Sequence, residues 1–352
     1  MNARTRLLLG IGLPVVLVVV VIVAFVWRGY ATSASPATSS ATHQPLTSMT
    51  LALDWTPNTN HTGIYVALAK GWYRQQGIDL HILPYSSSVA PETLVSNGKA
   101  DVCISATESE VSDAATGQPM VSIAAIIQHN TSELITLASS GLNRPRDLNG
   151  KIYGGGGAAY EPAVVGAIIR HDGGKGTFKN VTLSTDAMQA LKDHRIDFVW
   201  IYQGWEGIQA QREGMQLNIF PITQHGIADY YTPTIATSPK EIKQKSDLLR
   251  RFMAATSQGY AYARTHAHEA AQMLIDGTPK GTFPDPGLVF ASQNYLSPRY
   301  VDLGRKWGLQ DAQAWHGYPQ FMLDSGGITD ASGKPVKSLN LDALYTNQFL
   351  PR

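Results

Sequence analysis

The stretch Leu51-Ala52-Leu53-Asp54-Trp55-Thr56-Pro57-Asn58-Thr59-Asn60-His61-Thr62-Gly63 constrains the fold more than any other part of the chain. Apolar residues run into an acid, an indole and then a proline-led turn of small polar side chains. A helical pattern follows at once over Ile64 to Gly71, and a short apolar strand over Ile78 to Leu83 comes after the turn Gln75-Gln76-Gly77. Strand, polar turn, helix and strand make a βαβ unit, and open α/β folds bind ligands at the first turn of such a unit. The same polar residues would also serve to cap a helix.

The amino-terminal segment bears on the compartment. Arg4 and Arg6 precede an apolar stretch from Leu7 to Trp27. As a helix it would extend about 31 Å, close to the thickness of a bilayer's hydrocarbon core. A cleaved signal peptide has a shorter apolar core of roughly 7–15 residues, so residues 1–30 read as a short cytoplasmic head and an uncleaved transmembrane signal anchor. Arg28 alone follows the span, and the positive-inside rule exports the remainder; cleavage would make it secreted. Pro14 is tolerable inside such a helix. Residues 31–47, rich in Ala, Ser, Thr and Pro, read as a flexible linker with a reach of roughly 20 Å. The sole cysteine, Cys103, lies in the apolar run Ala100 to Ile104 and reads as a buried structural thiol. A formal net charge of +1, without a Lys/Arg cluster interleaved with aromatics, argues against nucleic-acid binding.

Beyond the linker, strand and helix patterns alternate. Strands are predicted within Ala100 to Ser105, Val121 to Ile127 and Leu134 to Ala138. A turn-rich break at Asn143 to Gly150 then precedes a second βαβ pattern. That pattern opens at Lys151-Ile152-Tyr153 and passes through Gly154 to Gly157 and Glu161-Pro162 into a helix ending at His171. Further strands are expected at Val181 to Leu183, Asp197 to Tyr202, Ile219 to Ile222 and Thr234 to Thr237, with a helix over Ala187 to Asp193. After Ser238-Pro239 the chain reads as helical over Lys240 to Thr265, His268 to Asp276 and Gly287 to Leu296. Two α/β lobes follow from this order, with the chain returning to pack on the first.

Several motifs carry no chemistry. Gly154 to Gly157 lacks the spacing of a dinucleotide fingerprint and is not followed by the Gly-Lys-Ser/Thr of a P-loop. The run either frees backbone N–H groups for a ligand or makes a tight strand-to-helix turn. His266-Ala267-His268-Glu269 lacks a third ligand at metal spacing, and Ala255 to Gly259 lies inside a helical pattern rather than at a nucleophile elbow. Aromatics beside acids are more informative. Trp55 follows Asp54, Trp205 precedes Glu206, and Tyr230 and Tyr231 follow Asp229. Ring stacking with a neighbouring carboxylate suits a small, flat, nitrogen-rich heterocycle.

These residues resemble those of the periplasmic-type solute-binding proteins of ABC importers for thiamine pyrimidine precursors, a family related to fungal thiamine-pyrimidine synthases and to sulfonate-binding proteins. The resemblance spans about Thr50 to Pro351. Asp54 to Gly63 and Asp229 to Pro233 carry most of it, with Lys70 to Tyr73, Gly98 to Asp101, Trp205-Glu206, Ser292 to Leu296 and Thr346 to Pro351. It implies a two-lobed, type II-like binding fold with a hinge, dividing as 48–138 plus 236–352 and 139–235. It also implies a cleft lined by Trp55, Asn58, Asn60 and His61, by Gly155, Gly156 and Glu161, by Trp205 and Glu206, and by Tyr230. A ring would stack on Trp55 or Tyr230, and Glu161 or Glu206 would anchor an amine. Permease subunits of the importer would be partners, and binding would need neither catalysis nor cofactor.

The chain departs from the related synthases. Asp229 to Thr234 stands where they carry a cysteine cluster, and Ser109 stands where they carry a histidine consumed as substrate. A synthase using pyridoxal phosphate is therefore the alternative expectation, as is an importer component for riboflavin. The glycine turn also lacks a tryptophan common in pyrimidine binders.

Overall fold

Among the described residues, ten strands alternate with helices because short β-branched runs are separated by glycine turns and amphipathic segments. The computed structural model describes residues 45–183 and 186–352. The apolar stretch at 7–27, expected to be a membrane helix, lies outside the described residues. Among those described, no helix is long and apolar enough to cross a membrane.

The first sheet contains β1 (Thr47–Ala52), β2 (Ile78–Leu83), β3 (Val102–Ser105), β4 (Val121–Ala125) and β10 (Thr234–Thr237), in the order β2-β1-β3-β10-β4. The second contains β5 (Ser132–Leu137), β6 (Ile152–Gly155), β7 (Lys179–Thr182), β8 (Phe198–Tyr202) and β9 (Leu217–Pro221), in the order β7-β6-β8-β5-β9. In each sheet four strands run in one direction and one runs against them: β10 is antiparallel to β3 and β4, and β5 is antiparallel to β8 and β9. β3, β4 and β10 are buried along their whole length, which explains why they read as continuous apolar runs rather than alternating ones.

Seven of the described helices have eight or more residues: α1 (Thr62–Ala69), α2 (Thr107–Ala115), α3 (Glu161–His171), α4 (Ser246–Thr265), α5 (Ala267–Asp276), α6 (Pro286–Leu296) and α7 (Ala312–Asp324). α4 buries Leu248, Leu249, Phe252, Met253, Thr256, Tyr260 and Ala263, a one-sided stripe at helical spacing. The pattern over Lys240 to Thr265 breaks at Lys245, whose ammonium group leaves the helix line to pair with Asp101 and Glu241. α7 escaped the sequence reading because Gly317 and Pro319 punctuate it. Its Trp315, Tyr318, Met322 and Leu323 nevertheless form a buried face.

The chain crosses from the first sheet to the second between β4 and β5 and returns between β9 and β10. This corrects the boundary at 138/139: β5 pairs with β8 and β9, so the crossing precedes it. His129 in the first crossing lies 2.5 Å from Asp229 in the second, and its other ring nitrogen lies 3.0 Å from Asp302. Burial alone would lower the imidazole pKa, but the two carboxylates outweigh it and hold it above its usual value.

The helices packed on the first sheet are locked by a close crossing. A Cβ at Gly259 of α4 would fall on the Gly63 carbonyl oxygen of α1, and one at Gly63 would fall on the Tyr260 ring. Only hydrogen fits at either place, so α1 and the polar turn before it sit directly against α4. Gly259→Ala should push the helices apart and cost about 1–3 kcal/mol, the usual range for overpacking. Urea unfolding of the variant beside the parent measures it, and an unchanged midpoint would show that the crossing yields freely.

Candidate functional site

The polar turn after β1 is held mostly by its own atoms. Asn58 Oδ1 accepts the Asn60 N–H at 2.9 Å, and Asn58 Nδ2 donates to the Thr56 carbonyl at 3.2 Å. The Asn58 N–H donates to His61 Nδ1 at 3.2 Å. His61 Nε2 therefore carries the ring hydrogen and donates to Asp54 Oδ1 at 2.8 Å. From outside, Tyr260 and Tyr300 donate to the carbonyls of Asn60 and Thr59, both at 2.6 Å. His61 is fully buried and Asn58 is 5% exposed. Both residues, expected to line the cleft, shape the turn from within and present Asp54 and Trp55. Asn60 is partly exposed and Trp55 is 50% exposed, with its ring 4.8 Å from that of Tyr85.

The glycine turn after β6 is closed on itself. Glu161 accepts the N–H groups of Gly156 at 3.1 Å and Gly157 at 3.4 Å. The space a side chain would need at Gly155 is filled by Glu161 and Tyr153. Glu161, expected to anchor an amine, thus holds the turn with one N–H on each oxygen. Gly155 is buried, whereas Gly156 is exposed. Burial raises the Glu161 pKa against the opposing effect of these N–H bonds.

The third segment, Gln203–Gly207, is a single π-helical turn, a feature frequent at functional sites. Glu206 is partly exposed, and its Oε2 accepts the Tyr202 N–H at 3.2 Å. Burial raises its carboxyl pKa. Trp205 packs 6.2 Å from Phe283, beside α5 and α6. Ser292 of α6 donates to the Gly204 carbonyl and lies 2.5 Å from Thr59 Oγ1, so one helix bridges the turns that follow β1 and β8. Tyr230 does not offer a face for stacking. It is 1% exposed, and its ring lies on Tyr318 at 3.8 Å.

Four groups in this neighbourhood were not among the residues predicted to line the cleft. Tyr202, at the end of β8, is 38% exposed, yet burial and the charges of Glu108, Glu206 and Asp54 raise its hydroxyl pKa. Its ring therefore opens to solvent while its hydroxyl points into a crowded acidic region. Glu108, on the first turn of α2, is 2% exposed and also raises the hydroxyl pKa of Tyr160 after β6. The ends of β1, β3, β6 and β8 thus converge, the switch-point arrangement of α/β sheets. Tyr85 and Glu92 complete the group. The sequence signal for Glu108 was Thr107-Glu108-Ser109-Glu110 directly after an apolar run, the same strand-to-helix position as the first polar turn.

The surroundings are acidic. Glu92, Glu108 and Glu110 are buried, and burial raises the pKa of each. Among the described residues, none of them, nor Glu161 or Glu206, takes part in an ion pair. Asp113 is pushed up to about 7 by burial and then by the charge of Glu92. Its stabilising contribution is complete below the unfolded carboxyl range near pH 4 and is lost as pH rises through about 7. The melting temperature should therefore fall as pH rises from about 4 to about 7, and Asp113→Asn should flatten part of that slope. Glu133, also raised to about 7 by burial, supplies another part. A variant melting profile parallel to the parent's would refute the assignment to Asp113.

The comparisons agree with this architecture. The chain is 23% identical over 277 residues to a formylaminopyrimidine-binding protein of Halalkalibacterium halodurans, covering 77% of this chain and 83% of that protein. It is 24% identical over 315 residues to a 4-amino-5-hydroxymethyl-2-methylpyrimidine phosphate synthase of Legionella pneumophila, covering 86% and 92%. The fold matches the alkanesulfonate-binding protein SsuA of Xanthomonas axonopodis pv. citri bound to MOPS, with a TM-score of 0.60 at 13% identity, over 79% of this chain and 91% of that one. This chain therefore has the fold of periplasmic binding proteins. A family model described as NMT1/THI5 like matches residues 58–270, and the chain belongs to that family.

Proposed function

We propose that this chain is an extracytoplasmic solute-binding component of an ABC importer and that it binds a thiamine pyrimidine precursor of the formylaminopyrimidine or hydroxymethylpyrimidine type. In this reading the two crossings form the hinge between lobes, the permease subunits are its partners, and the amino-terminal segment ties it to the membrane. The observation that carries the ligand class is the pairing of two exposed rings, Trp55 and Tyr202, with Asp54, Glu206 and the buried acids behind them. A sulfonate or nitrate would meet Glu206 and those buried acids, which, among the described residues, have no ion-pair partner. An amino-substituted ring can stack on the aromatic faces and donate N–H bonds to the carboxyls. The formylaminopyrimidine-binding relative supports the same class.

In this reading the turns divide the work. His61 and Asn58 hold Asp54 and Trp55 in place, Glu161 closes the glycine turn, and Glu206 is the acid that remains partly open beside Tyr202. No bond is made or broken in this reading, and release follows from separation of the lobes.

Isothermal titration of the soluble part with 4-amino-5-hydroxymethyl-2-methylpyrimidine and its formylaminomethyl analogue tests it, with MOPS as the anionic control. Heat is expected from the pyrimidines alone. Glu206→Gln should weaken binding by about 1.5–3 kcal/mol, the range for a hydrogen bond to a charged group. Trp55→Ala and Tyr202→Ala should each cost at least about 0.5–1.5 kcal/mol through lost stacking. Silence with both pyrimidines would end the reading, and formation of a pyrimidine product by the purified protein would move it to the synthase side.

A further inference from the structure

α6 is fastened beside the first sheet. Its Val289 packs among Tyr65 of α1 and Ala271 and Leu274 of α5. Gln293, fully buried, accepts from Thr62 Oγ1 at 2.6 Å and donates to Ser297 Oγ at 2.9 Å and to the Tyr300 hydroxyl at 3.1 Å. The same helix also reaches the segment after β8. Midway along it, Ser292 donates to the Gly204 carbonyl. At its amino-terminal end, Asp285 receives a two-pronged bond from Arg212, the last residue of the short helix Ile208–Arg212. Nε donates to Oδ2 and Nη2 to Oδ1, both at 3.0 Å. Room is left for that fork, because a side chain at Gly287 would collide with the guanidinium. Asp285 Oδ1 also accepts the Gly287 N–H at 2.9 Å and so caps α6.

The two ends of α6 stand at different distances from the crossings between the sheets. Its carboxyl end runs on to Arg299, whose carbonyl accepts the Gln128 N–H of the first crossing at 3.1 Å. The 11 residues of α6 separate that end from Asp285, a span of about 16 Å. Rotation about the crossings would therefore part Arg212 from Asp285 further than it parts Gly204 from Ser292. We propose that Arg212 and Asp285 form a clasp that holds the two α/β halves together before a ligand arrives, and so sets how often the turn carrying Asp54 and Trp55 faces Tyr202 and Glu206. This rests on the two-lobed reading above and adds a contact that lies outside the ring-facing groups. A bidentate guanidinium–carboxylate pair is directional as well as attractive. The two side chains are 39% and 54% exposed, so salt screens the pair and its effect on the closed fraction is a modest factor. A ligand that binds only the closed form gains that same factor in affinity without touching either residue.

The test places spin labels on cysteines introduced at Gln211 and Lys280, exposed positions on either side of the clasp, in the full chain in detergent; Cys103 is buried and stays unlabelled. Without ligand, the parent should give one short distance by double electron–electron resonance. Asp285→Asn keeps a cap for α6 while removing the charge. That variant and Arg212→Gln should each add a longer distance, and the double variant should match either single one, because all three remove the same contact. Titration with 4-amino-5-hydroxymethyl-2-methylpyrimidine should show affinity falling about two- to fivefold in each variant, and the parent's loss of affinity with added salt should shrink in both. Unchanged distances in both single variants would overturn the proposal, as would additive effects in the double variant. A lowered melting temperature with unchanged distances would mark the pair as helix packing and overturn it too. Altered distances in variants of a protein that binds no pyrimidine keep the clasp and remove the ligand reading; pyrimidine binding with unaltered distances does the reverse.

Discussion

The close crossing of α1 and α4 at Gly63 and Gly259 is the constraint on which the site depends. It brings the first turn of α1 onto the surface of α4, within reach of the Tyr260 hydroxyl, which binds the Asn60 carbonyl. Tyr260 is itself stacked on Trp307 at 4.2 Å. The polar turn is therefore fixed from below by packing and from within by Asn58 and His61. A turn so determined can present Asp54 and Trp55 in one orientation, and preorganisation of that kind lowers the ordering cost of binding.

The second theme is charge without counter-charge. Among the described residues, the acids buried beside the converging strand ends are not matched by lysine or arginine, and burial raises their pKa values. In the interior, such groups are held neutral or are compensated by whatever binds. A fold sets where a site lies and not what it holds.

Much of the architecture was legible because strand and helix periods differ. β2 and β10 stand where their apolar runs placed them, and the helices at 161–171 and 267–276 agree within two residues. The departures have physical causes. α7 was hidden by Gly317 and Pro319, and β5 moved across the boundary because strand partners, not chain order, decide sheet membership. The site was less legible. Asn58, His61, Glu161 and Tyr230 are polar or aromatic residues of the expected kind, yet each is occupied by a neighbour inside its own turn or stack. Tyr202 and Glu108 carried equally strong chemistry at strand ends, but Tyr202 closed a segment that read as ordinary strand and Glu108 stood where no element was predicted.

From its sequence alone this chain determined its succession of α/β units, the positions of its polar turns and the family to which it belongs, because periodicity and turn chemistry are local properties. Only the tertiary structure decided which side chains in those turns remain open. A carboxylate or imidazole cannot show from sequence whether a backbone N–H a few residues away has already taken its hydrogen-bonding capacity. That depends on the three-dimensional path of the turn, and it left Trp55, Tyr202 and Glu206 open to solvent while His61 and Glu161 were drawn inward.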